Sequence, residues 1–167
     1  MKKKHLLFAL ALALTLGADQ LSKQWARARL APDRAGITIV EGYFDLRYSE
    51  NDGAAFGFLR GVPGARYLFF PVGIVALVAV ARYLRKARPE QRRVAVELGV
   101  LAGGVVGNLA DRVLFGRVTD FILWHAHSHA WPLFNLADAA LVLGVLGLWL
   151  DTRDRKSTPP APVPDRS

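Results

Sequence analysis

Asp120 and Asp138 stand 18 positions apart, each at the water-facing end of an apolar segment near the C-terminus. Asp120 lies in Val118-Thr119-Asp120-Phe121, just past one such segment. Asp138 lies in Phe134-Asn135-Leu136-Ala137-Asp138, just inside the next. A carboxylate at the centre of a membrane helix costs roughly 2.5–3.5 kcal/mol on insertion scales, so acids placed in such segments tend to have work to do. Two carboxylates brought to one place can share a proton, which is the chemistry of an aspartic protease. Taken by themselves, they read more readily as helix-capping or interfacial acids than as catalytic ones.

Other polar residues recur in the same kind of setting. Asp19 and Lys23 are spaced i,i+4 in the favourable order, by default an interfacial ion pair. Gly99, Gly103 and Gly107 repeat every four residues, which lets a neighbouring backbone approach closely. Gly104, Asn108 and Arg112 form a second four-spaced row, drifting by about 40° per step on an ideal helix. Asp111 and Arg112 read as a structural pairing. Asn135 and Asp138 are three apart and share a helical face. His125, His127 and His129 would face one way on a strand, a pattern that suggests a metal. They stand in an exposed linker with no further His or acidic ligand at helical spacing, so neither a metal nor a cofactor is expected.

The elements that must position these residues are apolar. The chain has 167 residues, enough for one domain, and is 52% hydrophobic. Its mean hydropathy of +0.21 is high for a soluble domain of this size. It contains no cysteine, which excludes disulfides, thiolate metal sites and cysteine nucleophiles. The net charge of +8 does not indicate nucleic acid, because the basic residues sit in short stretches between apolar runs. That is how membrane topology is written.

Four runs stand out: Leu6–Ala18, Tyr67–Ala81, Val94–Leu109 and Leu133–Leu150. With amphipathic flanks each approaches the roughly 20 residues that span a bilayer. Lys2, Lys3 and Lys4 precede the first. Arg82, Arg85, Lys86, Arg88, Arg92 and Arg93 separate the second from the third. Arg153, Arg155 and Lys156 follow the fourth. All three basic clusters are cytoplasmic by the positive-inside rule, which places both termini inside and the 26–66 and 115–132 stretches outside. A cleaved signal peptide is the rival for the first run. The small-x-small pattern before a cut is poor, with Leu16 at the third position back, and the helix reads on through Asp19-Gln20-Leu21-Ser22-Lys23.

Outside, Ile37–Val40 and Tyr43–Tyr48 alternate around Glu41-Gly42 and predict a hairpin, and Asn51-Asp52-Gly53 signals a turn. The fold class is therefore an all-α polytopic membrane protein with four transmembrane helices, about 6–25, 67–84, 94–114 and 133–151. A small outer β-sheet, about 37–60, completes a domain over 1–152, and a Pro-rich disordered cytoplasmic tail covers 153–167. In this topology Asp19, Lys23, Asn51, Asn108, Asp111, Arg112, Asp120, Asn135 and Asp138 all converge at the outer depth. A proton-coupled carrier would instead hold acids near the midplane, often with inverted repeats. A structural assembly factor would need the glycine rows and not the two acids.

Five of these segments, in this order, resemble the lipoprotein signal peptidases (signal peptidase II), aspartic membrane proteases of bacteria. They are Asp19-Gln20-Leu21-Ser22-Lys23, Asn51–Gly57, Gly103–Arg112, Val118–Phe121 and Trp131–Asp138. The resemblance covers about 15 to 142. It implies an inner-membrane enzyme acting on lipidated prolipoproteins within membrane lipid, cutting on the N-terminal side of a diacylglyceryl-modified cysteine. It also implies catalysis by Asp120 and Asp138 at the outer face, with Asn51, Gly104, Asn108, Arg112 and Asn135, and less directly Asp19 and Lys23, around them. A monomer is expected. Arg112, a cation beside two acids, is expected to be offset from them or paired with Asp111.

Overall fold

The computed structural model describes residues 2–31, 35–52, 65–126 and 129–157. The structure is mostly helical with a small antiparallel sheet. In chain order it runs α1 (Lys2–Arg29), β1 (Ile37–Val40), β2 (Phe44–Asn51), a 3-10 turn (Ala65–Leu68), α2 (Phe69–Lys86), α3 (Arg92–Phe115), β3 (Val118–Ala126), β4 (His129–Ala130) and α4 (Leu136–Ser157). Among the described residues, two helices, Lys3–Arg29 and Arg92–Phe115, are long and apolar enough to cross a membrane. α2 is the most apolar of the helices up to Ala81, and carries three basic residues, Arg82, Arg85 and Lys86, in its last five positions.

α3 is the central helix, and its glycines set the packing. A side chain at Gly99 would meet the Phe8 carbonyl and the Ala11 methyl, and one at Gly103 would meet Leu12 and Thr15. That row therefore seats α1 on α3 at close backbone approach. A side chain at Gly104 would strike the Ala137 carbonyl of α4. The second row thus seats α4 on the neighbouring face of α3, and Gly107 lies between Asp19 and Ala137. Val94, Ala95, Leu98 and Ala102 of α3 join Val80, Leu84 and Ala87 in the apolar core. The outward faces of α1, α2 and α4 remain apolar, with Leu6, Leu10, Leu14, Val72, Ile74, Val75, Leu143 and Leu146 exposed.

One charge departs from its sequence reading. Lys4 belongs to the basic N-terminal cluster, yet it is buried, and its Nζ donates to the carbonyls of Leu84 (2.9 Å) and Ala87 (2.5 Å). It satisfies orphan carbonyls at the end of α2, where a cation also complements the helix dipole. The start of α1 and the end of α2 are thereby held together.

The predicted hairpin forms as β1 and β2, with Gly42 at φ +79° in its turn. The sheet order is β1-β2-β3-β4. Its inner strand β3 falls in the 115–132 stretch, read from sequence as a linker. Val118, Thr119, Asp120 and Phe121 are all buried, so both faces of the strand are covered and no alternation marks it. Gly53 to Phe58, expected to extend the outer sheet, lie outside the described residues. α4 runs on to Ser157, so residues 153–157, assigned to the tail by sequence, are helical. Its first turn begins at Leu136 rather than near 133, because Asn135 serves as its N-cap. His125 and His129 sit on the two strands of the β3–β4 hairpin, not on one strand, and His125 Nε2 lies 3.4 Å from Asp45.

Candidate active site

Strand β3 and the start of α4 meet because the chain doubles back. After β4, Phe134 returns alongside β3: its carbonyl accepts from the Phe121 and Ile122 amides at 3.0 and 2.9 Å, and its amide donates to the Ile122 carbonyl. Asn135 is therefore delivered next to Asp120. On the other side of β3, Ser49 of β2 pairs with Asp120, so Asn51 is its diagonal neighbour.

Asn135 and Asp138 form a reciprocal capping box. Asn135 Oδ1 accepts from the Asp138 amide (3.0 Å), and Asp138 Oδ2 accepts from the Asn135 amide (3.2 Å). This arrangement satisfies orphan donors at both positions of the helix start. The Asn135 amide nitrogen reaches further, donating to Asp120 Oδ1 at 2.7 Å. One residue thus touches both carboxylates. Asp120 Oδ2 accepts from Asn51 Nδ2 (3.0 Å), and Asp138 Oδ1 accepts from Asn108 Nδ2 (2.8 Å).

All of these donors are neutral amides, and among the described residues neither carboxylate carries an ion pair. Burial, with the Asp138 charge as the second cause, pushes the Asp120 carboxyl up to about 6. Side-chain bonds from Asn51 and Asn135 pull the other way and do not cancel it. A carboxyl titrating there holds its proton closer to neutrality than a solvated aspartate does.

Behind the two acids lies a buried ionic cluster. Lys23 Nζ is fully buried and touches Asp19 (2.8 Å), Asp111 (3.5 Å) and Asn108 Oδ1 (2.9 Å). Because Asn108 presents its oxygen to Lys23, its amide group faces Asp138. Asp19 Oδ1 accepts the Ala137 amide (2.9 Å), a second donor at the start of α4. Lys23 thus acts on Asp138 through Asn108, and Asp19 through the backbone of α4.

Asp111 does not pair with Arg112, contrary to the sequence reading. It pairs with Lys23 and with Arg27 (2.8 Å), because it faces α1. Arg112 points the other way, its guanidinium 4.3 Å from the Phe69 ring centre, with one nitrogen on the Asn108 carbonyl. It is offset from the acids as expected, but its support is aromatic. Gly104 contributes no side chain; its role is to admit the Ala137 carbonyl.

Three contributors escaped the sequence reading. Gln20 Nε2 bridges Asp19, the Gly107 carbonyl and Asp111. Arg27 reaches Asp111 and the Thr119 hydroxyl, and Thr119 itself donates its amide to Asp111. The signal was present for Arg27, four residues beyond Lys23 and eight beyond Asp19 on one helical face.

The helical bundle with its small antiparallel sheet matches the fold of bacterial membrane enzymes. One such structure, described as a bacterial membrane enzyme solved by the in meso method at 2.3 Å, superposes with a TM-score of 0.79 at 26% identity, covering 93% of each chain. A second, at 1.9 Å, gives 0.76 at 27% identity, over 90% of this chain and 94% of that one. The family model described as signal peptidase (SPase) II matches residues 11–153, and the chain belongs to that family of peptidases. Relatives include the lipoprotein signal peptidase of Geobacter metallireducens, 40% identical over 90% of this chain and 93% of its own length. That of Xanthomonas axonopodis pv. citri is 38% identical over 86% and 83%.

Proposed function

We propose that the protein is a membrane aspartic endopeptidase that removes the signal peptide from diacylglyceryl-modified prolipoproteins, cutting on the N-terminal side of the lipidated cysteine. The observation that carries the proposal is Asn135, which holds the Asp120 and Asp138 carboxylates, from separate elements, in one hydrogen-bonded unit. The family and its lipoprotein-processing relatives support the substrate class.

Two neighbouring carboxylates do not both ionise cheaply, so the pair keeps one proton near neutral pH. The charged member takes a proton from a water lying between them. That water attacks the scissile carbonyl while the neutral member protonates the carbonyl oxygen. The proton belongs to the pair, and acid and base roles are not assigned to single residues. Asn51 and Asn108 keep each carboxylate oriented. Arg112, held over Phe69, is available to substrate backbone without bonding to either acid.

Four transmembrane helices in the inner membrane, both termini cytoplasmic and the site at the outer face, complete the proposal. The apolar outward faces of α1, α2 and α4 suit lipid. Trp25, Tyr67 and Trp131 are exposed near the acid-bearing end, and Tyr83 and Trp149 near the other, as aromatic belts require. The enzyme is proposed to act as a monomer, with no metal or cofactor.

The test is cleavage of a lipidated precursor in detergent by Asp120→Asn and Asp138→Asn. Each is expected to abolish cleavage while the protein still inserts. Full activity in either variant would remove the acid pair from the mechanism.

A further inference from the structure

We propose that Arg27 is a positioning residue for the peptidase reaction, fixing the backbone that carries Asp120 by clamping Thr119 against Asp111. The inference rests on the proposed use of Asp120.

The guanidinium divides its donors between two targets. Its terminal nitrogen reaches Asp111 Oδ1 at 2.8 Å, and its Nε donates to the Thr119 hydroxyl at 2.9 Å. Asp111 Oδ2 in turn accepts the Thr119 amide at 2.9 Å. Arg27, Asp111 and Thr119 therefore close a ring in which the side chain and the amide of Thr119 are held from one side. The Thr119 carbonyl points to Asn135 Nδ2 at 3.3 Å. All three polar groups of the residue before Asp120 are thus engaged, and the Asp120 Cα has little freedom to shift. Phe115 braces the clamp, its ring centre 4.0 Å from the guanidinium carbon.

The two parts of the clamp are separable by chemistry. A lysine at 27 keeps a charge for Asp111 but lacks the planar fork that serves two acceptors at fixed angles. A valine at 119 keeps the shape and the amide bond to Asp111 but removes the hydroxyl. Loosening the clamp lets β3 shift and water approach Asp120. A shift near 1 Å is enough to impair positioned chemistry severely. Better hydration also weakens the burial that raises the Asp120 proton affinity.

The experiment compares wild type, Arg27→Lys, Thr119→Val, Thr119→Ser and Asp120→Asn on a lipidated precursor, with kcat, KM and the pH profile of kcat. Arg27→Lys and Thr119→Val are expected to lower kcat about tenfold with KM little changed, because the misplaced group is a reacting one. Both should move the alkaline limb of the profile to lower pH. Thr119→Ser, which keeps the hydroxyl, should restore both. The double variant Arg27→Lys/Thr119→Val should be little worse than Thr119→Val alone, since Thr119→Val has already removed the contact that Arg27→Lys breaks, along with the hydroxyl's bond to Tyr48. If the lysine and valine variants lose only thermal stability, with kcat and the alkaline limb unmoved, Arg27 is merely structural and the inference is overturned. If Asp120→Asn stays active, it is the acid-pair reading that fails.

Discussion

Replacing Asp120 by asparagine should make the folded protein's stability less sensitive to pH, and the size of the effect follows from the site. Burial and the Asp138 charge raise the Asp120 carboxyl from 3.8 to about 6 in the fold. Ionising it there is costlier than in the unfolded chain by roughly 3 kcal/mol, at about 1.4 kcal/mol per pH unit. The wild-type contribution is therefore fully present below pH 3.8 and lost as pH rises through about 6. Asparagine does not titrate and escapes the loss. Its amide must face one of two donors, Asn135 Nδ2 or Asn51 Nδ2, an unmade bond that costs about 1–3 kcal/mol at every pH. The variant should thus be the less stable at pH 4 and gain on wild type towards pH 8. About 2.4 kcal/mol of the wild-type contribution is lost between pH 4 and pH 8, and at about 2–4 °C per kcal/mol for a chain of this size the difference in Tm should swing by about 5–10 °C. Tryptophan fluorescence during thermal unfolding in detergent, at half-unit steps from pH 4 to 8, reads it directly. Parallel curves for the two proteins would refute the raised proton affinity.

Asn135→Ser keeps an N-cap oxygen for the Asp138 amide but loses the donor to Asp120, so it should cost about 1–3 kcal/mol of stability and at least tenfold in kcat. Asn135→Ala loses both and should lower Tm further, which comparative melting curves would show. Gly99→Ala places a methyl against the Phe8 carbonyl and Ala11, separating α1 from α3. It should cost about 1–3 kcal/mol, as overpacking does, and lower Tm without changing the pH profile of cleavage.

The sequence carried more of the site than of its scaffold. Residues that face a common centre from helices announce themselves by three- and four-residue spacing, and the glycine rows, Asn108 and the Asn135–Asp138 pair were found that way. Strand β3 was not, although it bears Asp120. Val118 to Phe121 are buried on both faces, which erases the two-residue alternation that betrays a half-exposed strand. Its partners, β2 and the segment around Phe134, are distant in sequence or hidden in an irregular return. Lys4 and Asp111 were misjudged for a related reason: sequence gives a charge and its neighbours, but not which helix end or which cation lies across the interface. Asp111 stands beside Arg112 in the chain, and the helix sends the two in different directions.

Because Asp138 occupies the third residue of α4 and is locked by the capping box, its carboxylate moves with the helix as a rigid body. α4 has 22 residues, a rod of about 33 Å. Pivoting that rod about its far end by about 2° would carry the carboxylate roughly 1 Å, while Asp120, anchored on the sheet, stays behind. Helix tilt responds to hydrocarbon thickness. In the proposed membrane setting, the bilayer itself becomes a lever on the spacing of the two acids, and lipid chain length becomes a variable of the enzyme's chemistry.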